Sequence, residues 1–222
     1  MSGTPTAAQS AIEYTFTATN STGQTSQTTL SILVNAPAPA FSYSSSSLVA
    51  VRTQAFSSGA PTATNSASFA INPALPSGLA ISSSTGAITG TPTVTWPPAQ
   101  HVVTATNSTG QSASVTLTIR VNDPNPTLAY SPASITLTRG TAMTAATPSA
   151  THSVGFSISP SLPAGLSFSP ATGGVSGTPS AVASQAVHVV TAVNSTGQTG
   201  TANLTLTVND VAPSSLSYSS NP

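Results

Sequence analysis

The sequence predicts an all-β chain, a tandem array of β-sandwich domains of about seven strands each, arranged as a rod. The stretch Asn107-Ser108-Thr109-Gly110-Gln111 occurs twice more, starting at Asn20 and Asn194, in two steps of 87 residues. Between its occurrences apolar residues alternate with polar ones, the period-2 pattern of half-buried strands. Turn signals recur about every 8 to 12 residues, and no helical periodicity interrupts them.

At the 87-residue offset the chain aligns with itself almost without gaps. Residues 37–123 and 124–210 read as complete repeats, residues 1–36 as the C-terminal half of one, and residues 211–222 as the first strand of a following repeat or a donor strand. Within the first complete repeat, strands are expected at 41–43, 47–51 and 68–71, before a turn built on Pro76 and Gly78. Proline fixes one φ there and glycine releases another. Short strands over 79–82 and 87–89 flank a second turn ending at Gly86. A strand over 101–106 then runs through the Asn-Ser-Thr-Gly turn into the clearest alternation of all, with Val115, Leu117, Ile119 and Val121 on one face. Its counterparts are Leu30, Ile32, Val34 and Leu204, Leu206, Val208. A loop of four or five residues containing glycine suits that hairpin. The junctions Ala36-Pro37-Ala38-Pro39 and Asp123-Pro124-Asn125-Pro126 place prolines where they favour extended, semi-rigid linkers.

Composition removes several classes of partner. The 222 residues include three basic and three acidic side chains, 3% charged, against roughly 25% in an ordinary domain. A net charge of zero lacks the electrostatic footprint of a nucleic-acid binder or of a protein held on anionic lipid. No apolar run approaches the roughly 20 residues of a membrane helix, so no membrane insertion is expected. There is no cysteine to form disulfides or thiolate metal sites. Met1-Ser2-Gly3-Thr4-Pro5 carries no signal-type segment, so the sequence predicts either an excerpt of a longer array or a chain whose targeting segment is gone.

Leu162-Pro163-Ala164-Gly165-Leu166-Ser167-Phe168, Thr172-Gly173 and Val175-Ser176-Gly177-Thr178-Pro179, followed by His188-Val189-Val190-Thr191-Ala192 and Asn194-Ser195-Thr196-Gly197, give the repeat a recognisable signature. In these residues the chain resembles the immunoglobulin-like repeats of bacterial and archaeal surface proteins, related to the cadherin-like domains of dystroglycan type. The resemblance covers both complete repeats and the half-repeat. It implies an immunoglobulin-like sandwich, secretion, tandem arrays and a structural or adhesive setting without a catalytic site. His101 and His188 depart from the family's usual aromatic residue, which Tyr14 retains.

Each candidate site carries a bland reading beside the functional one. His101 and His188 share a strand face with Val103 and Val190 and have no second ligand, so a hydrogen-bonded structural ring is expected rather than a metal centre. Calcium between domains would need about 6 to 8 oxygen ligands, while Glu13, Asp123 and Asp210 are the only acids; the two aspartates read as turn residues. No metal or other cofactor is expected. Arg52 and Arg139 match at the repeat offset, as a shared partner-contact surface or as guanidinium groups satisfying loop carbonyls. Trp96, in a proline-rich loop with Gln9 and Ala183 at its equivalent positions, would stack on a glycan or partner or anchor its own loop. Asn20, Asn107, Asn194 and Asn203 are formal glycosylation acceptors, three of them in the hairpin turn. No nucleophile elbow or paired carboxylate supports an enzyme.

Residues 3–36 repeat only the second half of a unit, which leaves the apolar face of Tyr14 and Phe16 without covering strands. Such a face recruits partners. The array is either cut out of register with its domains or completed by strand addition, with Leu216 and Tyr218 as donor residues. The function expected is a non-enzymatic structural module of an extracellular or cell-surface microbial filament, sheath or fibre. It would pair with copies of itself or with neighbouring repeats, through inter-subunit strand complementation in one version. The alternative is a cell-surface adhesin or carbohydrate-binding module.

Overall fold

The computed structural model describes residues 2–214, so Leu216 and Tyr218 lie outside the described residues. These residues form nineteen strands and no helix. The chain divides into two compact units, Met1–Asn122 and Asp123–Pro222.

The first unit begins with a hairpin of β1 (Gln9–Thr19) and β2 (Thr25–Val34), and a sandwich follows. Its strands are β3 (Ala40–Ser42), β4 (Ser47–Val51), β5 (Phe56–Ser57), β6 (Thr62–Thr64), β7 (Ser68–Asn72), β8 (Leu79–Ile81), β9 (Ile88–Gly90), β10 (Trp96–Thr106) and β11 (Ser112–Asn122). One layer is a four-stranded sheet in the order β4-β11-β10-β7, and the other combines β5-β9-β8 with the pair β3-β6. β10 and β11 form the antiparallel hairpin expected from the alternation, with β4 parallel to β11 and β7 antiparallel to β10. Period-2 geometry sends Val103, Ala105, Leu117, Ile119 and Val121 inward, where they are buried. Leu48, Ala50, Phe69, Leu79 and Ile88 meet them from the first half of the repeat. Half of this core thus comes from residues before Gly90 and half from residues after it.

The second unit repeats the plan with β12 (Thr127–Ala129), β13 (Ser134–Thr138), β14 (Ser149–Thr151), β15 (Gly155–Ser159), β16 (Leu166–Phe168), β17 (Val175–Gly177), β18 (Ala183–Val193) and β19 (Thr199–Asn209). Its four-stranded sheet runs β13-β19-β18-β15. No counterpart of β5 forms. Met143 stands at the position of Phe56, and the segment holds on through Met143 N–H to the Gly177 carbonyl at 2.9 Å and a bridge between Ala146 and Val175. An open groove of about 570 Å³ lies beside it, lined by residues that include Ile135, Thr136, Leu137, Met143 and Thr144.

The repeated glycines have a steric cause. At Gly78 a Cβ would sit 2.1 Å from the Thr91 carbonyl oxygen, and at Gly90 2.0 Å from that of Gly78, with positive φ at both. Two backbone segments cross there at a distance that no side chain allows. Gly165 and Gly177 repeat the crossing. Leu-Pro-x-Gly-Leu and Gly-Thr-Pro are therefore two sides of one contact, and the first pattern is more than the turn expected of it.

Tyr43 and Tyr130 cross the sandwich in the same way in each domain. Their phenols donate to the Gly86 and Gly173 carbonyls, the first at 2.6 Å. Burial pushes both pKa values above the usual 10.0.

Candidate functional site

The Asn-Ser-Thr-Gly-Gln turn is a densely hydrogen-bonded feature of each sandwich. In the first sandwich, Asn107 Oδ1 accepts from Thr109 N–H at 3.0 Å, Thr109 Oγ1 at 3.0 Å and Gln111 N–H at 2.9 Å. Gly110 takes the positive φ that closes the turn. The amide end of the side chain faces the other way, donating to the Pro37 carbonyl at 2.9 Å and the Ala36 carbonyl at 3.4 Å, while Ala36 N–H donates to Thr109 Oγ1 at 3.1 Å. The turn is thus a latch that holds the chain entering its own domain.

The second domain builds the same latch. Asn194 Nδ2 donates to the Pro124 carbonyl at 2.8 Å and the Asp123 carbonyl at 3.3 Å, and Asp123 N–H donates to Thr196 Oγ1 at 3.0 Å. Asp123 also accepts from the Ser195 hydroxyl through its carboxylate. Asn107 and Asn194 are buried. Their amide nitrogens, the atoms that glycosylation modifies, are engaged with carbonyls in the folded chain. Asn20 is exposed with its Nδ2 directed to Gln24 Oε1 at 3.0 Å, and Asn203 is exposed on β19.

His101 and His188 are almost completely buried, at 1% and 2% exposure. Each ring's Nδ1 lies 2.9 Å from a proline carbonyl, Pro73 or Pro160, and each Nε2 has no hydrogen-bond partner. Among the described residues no group of three His, Cys, Asp or Glu side chains is close enough to hold a metal ion.

Trp96 is placed differently from the loop expected of it. It opens β10, paired with Val121, and Pro97 and Pro98 fall in the register shift between Trp96 and Ala99. Residues without an N–H are tolerated where the ladder is broken, so the prolines mark a bulge within a longer strand. The equivalent shifts begin at Gln9 and Ala183 without proline. Trp96 remains 37% exposed. Arg52 and Arg139 follow β4 and β13, where their N–H groups donate to the Asn122 and Asn209 carbonyls. Arg139 also forms an exposed ion pair with Asp210 at 2.8 Å, an interaction of at most about 1 kcal/mol in solvent. Within the first unit, Trp96 and Arg52 lie against adjacent residues at the end of β11, Trp96 paired with Val121 and Arg52 N–H bonded to the Asn122 carbonyl.

The third feature is the β1–β2 hairpin. Tyr14, Phe16 and Leu30 are 40%, 42% and 45% exposed. Their counterparts at the repeat offset in both sandwiches, His101, Val103, Leu117 and His188, Val190, Leu204, are buried at 2% exposure or less. Gly3, the counterpart of Gly90, would meet nothing with a Cβ.

The family described as "Putative Ig domain" matches residues 31–122 and 125–209. The chain belongs to that family. The tandem immunoglobulin-like sandwich expected from the sequence is what the strands form. None of the curated proteins compared with the chain matches it. Among solved structures, a three-Ig titin fragment, an E-to-A mutated variant, is 15% identical at a TM-score of 0.47, covering 91% of this chain and 75% of that one. The extracellular domain of protocadherin GammaB4 is 17% identical at a TM-score of 0.36, over 90% of this chain and 39% of that one. Sidekick-1 immunoglobulin domains 1–5 are 13% identical at a TM-score of 0.38, over 90% and 46%.

Proposed function

We propose that the chain is a non-enzymatic structural module of an extracellular microbial filament, sheath or surface fibre, with copies of itself or neighbouring repeats as its partners. The observation that carries this reading is a repeated sandwich whose surface is almost free of charge. Six charged residues in 222 leave Ser, Thr, Asn and Gln to cover it, with Val49, Val102, Val187 and Val189 exposed among them. A surface with no net charge packs side by side without repulsion, the condition under which proteins associate. Three arginines and no lysine also give trypsin-like proteases few cleavage sites. Electron microscopy of the native material and of concentrated protein tests the proposal. Ordered fibres or sheets are expected, and discrete monomers at high concentration would refute it.

A surface adhesin or carbohydrate-binding module is the second reading, favoured by the exposure of Trp96 beside a proline-interrupted bulge. An aromatic face held on a strand end suits stacking against a sugar. A glycan array run with the chain and with Trp96→Ala separates the two readings, since only the second requires binding that Trp96→Ala abolishes.

A further inference from the structure

We infer that Asn203 is an N-glycosylation site, and that the sugar joined to it covers Val187 and Val189 on the outer face of the second domain's four-stranded sheet. The inference goes beyond the structural reading and rests only on its extracellular setting, since the Asn-x-Ser/Thr acceptor is used in secreted chains. Four asparagines head such a sequence, at positions 20, 107, 194 and 203. The fold treats their amides differently. Asn107 Nδ2 donates to the Ala36 and Pro37 carbonyls and Asn194 Nδ2 to those of Asp123 and Pro124, so both hydrogens of each amide are used. A sugar in place of either hydrogen would break a bond of the latch inside a buried turn. Asn20 is exposed, with its amide bonded to Gln24 Oε1. Asn203 is exposed, and its side chain has no hydrogen-bond partner among the described residues. Of the four amides, it is the one the fold leaves unused.

The strand itself does not call for asparagine. Thr29 and Thr116 stand at the equivalent positions, and threonine suits a strand where asparagine is depleted. The departure from the repeat gives up that preference and creates Asn203-Leu204-Thr205 within β19. Leu204 is buried, so the period of two sends Asn203 and Thr205 outward together. The acceptor amide and the hydroxyl that the acceptor sequence requires thus share one face of the sheet.

Register supplies the surface beneath the sugar. Val189 pairs with Asn203 and Val187 with Thr205, neighbours whose Cβ atoms stand about 5 Å apart across the strands. The two valines are 40% and 49% exposed. Ser159 pairs with Val189 and Ser134 with Thr205 on the two flanks, so small uncharged side chains border them and leave the valines open. In the first sandwich Val102 and Gln100 hold the equivalent places, opposite Thr116 and Thr118. The domain that gains the asparagine therefore also gains the second valine beside it. A pyranose ring presents C–H groups on its faces, and laying one over the valine methyls removes apolar surface from water. In the transfer, Asn203 Nδ2 forms a bond to the anomeric carbon of an oligosaccharide carried on a lipid phosphate. The bond from that carbon to the phosphate oxygen breaks, the phosphate leaves with the electron pair, and Nδ2 loses one proton.

The test maps peptides of the native material by mass spectrometry. A glycan is expected on the peptide that carries Asn203, with Asn107 and Asn194 unmodified in the folded protein. An unmodified Asn203 would overturn the inference, and so would sugar on Asn107 or Asn194 of chains that still fold. Expressed in the native host, Asn203→Gln and Thr205→Val should both lose the added mass from that peptide. The second variant keeps the asparagine and removes only the hydroxyl, so a sugar that persists in it would overturn recognition of the acceptor sequence. Both side chains lie on the outer face, and circular dichroism of each variant should match that of the parent chain. Nuclear Overhauser contacts from the sugar ring protons to the Val187 and Val189 methyls are expected, and their absence would overturn the covering of the valines. Fibres built from chains unmodified at Asn203 would sink this inference and leave the structural reading standing. Glycosylated chains that stay monomeric at high concentration would do the reverse.

Discussion

Replacing Asn107 by Asp exchanges a donor for an acceptor at the centre of the latch and leaves the turn-forming oxygen in place. The Pro37 carbonyl at 2.9 Å and the Ala36 carbonyl at 3.4 Å would then face a carboxylate oxygen. One well-formed bond is worth about 1 kcal/mol, and a buried acceptor left facing another acceptor adds about 1–3 kcal/mol. The expected cost is about 2–4 kcal/mol. For a domain of this size, urea slopes near 1 kcal/mol/M turn that into a fall of about 2–4 M in the midpoint. Trp96 is the sole tryptophan and belongs to the same sandwich, so its fluorescence reports the first domain selectively. Asn194→Asp should leave the Trp96 transition in place and lower the second domain's transition followed by circular dichroism. Asn20→Asp, at an exposed turn, should cost less than about 0.5 kcal/mol. A midpoint change at Asn107→Asp no larger than that at Asn20→Asp would refute the latch.

Gly90→Ala should destabilise the first sandwich by more than about 2 kcal/mol, because its Cβ would fall 2.0 Å from the Gly78 carbonyl oxygen at a positive φ. Gly3→Ala meets no atom and should leave both urea midpoints unchanged. The Tyr43 phenol has its pKa raised by burial above 10.0, so the neutral form is the one the fold favours. Its contribution is complete below pH about 10 and is lost as pH rises through the folded value. The Trp96-monitored midpoint should therefore drop above pH about 10, and drop less in Tyr43→Phe, which at neutral pH costs about 1 kcal/mol for the bond to Gly86.

The long strands were legible because period-2 alternation is a local signal. Leu117, Ile119 and Val121 lie on one face whatever the rest of the chain does, and the structure buries them. The two-residue strand β5 and the three-residue strands β6 and β14 are too short to carry a period, and they form only because a neighbouring strand offers an edge. Trp96 was misplaced for a related reason. Adjacent prolines argue for a loop when read locally, whereas a bulge in a long hairpin accommodates both without losing the strand.

The polar chemistry followed the same division. Asn107 was recognisable as a turn residue from its neighbours, since three of its bonds close within four positions. Its other two bonds reach back 70 and 71 positions to the linker, a distance over which a single sequence gives no signal. The repeat offset could have supplied one: an asparagine kept in all three turns, where glycine alone closes the hairpin, asks for a use for its amide. That use changes how the linker is understood. Prolines at 37 and 39 or at 124 and 126 stiffen the chain, but the bonds from Asn107 and Asn194 are what tie it to the domain that follows. The same turn at Asn20 is shaped by its own three bonds, with its amide turned to Gln24 instead of to a linker carbonyl.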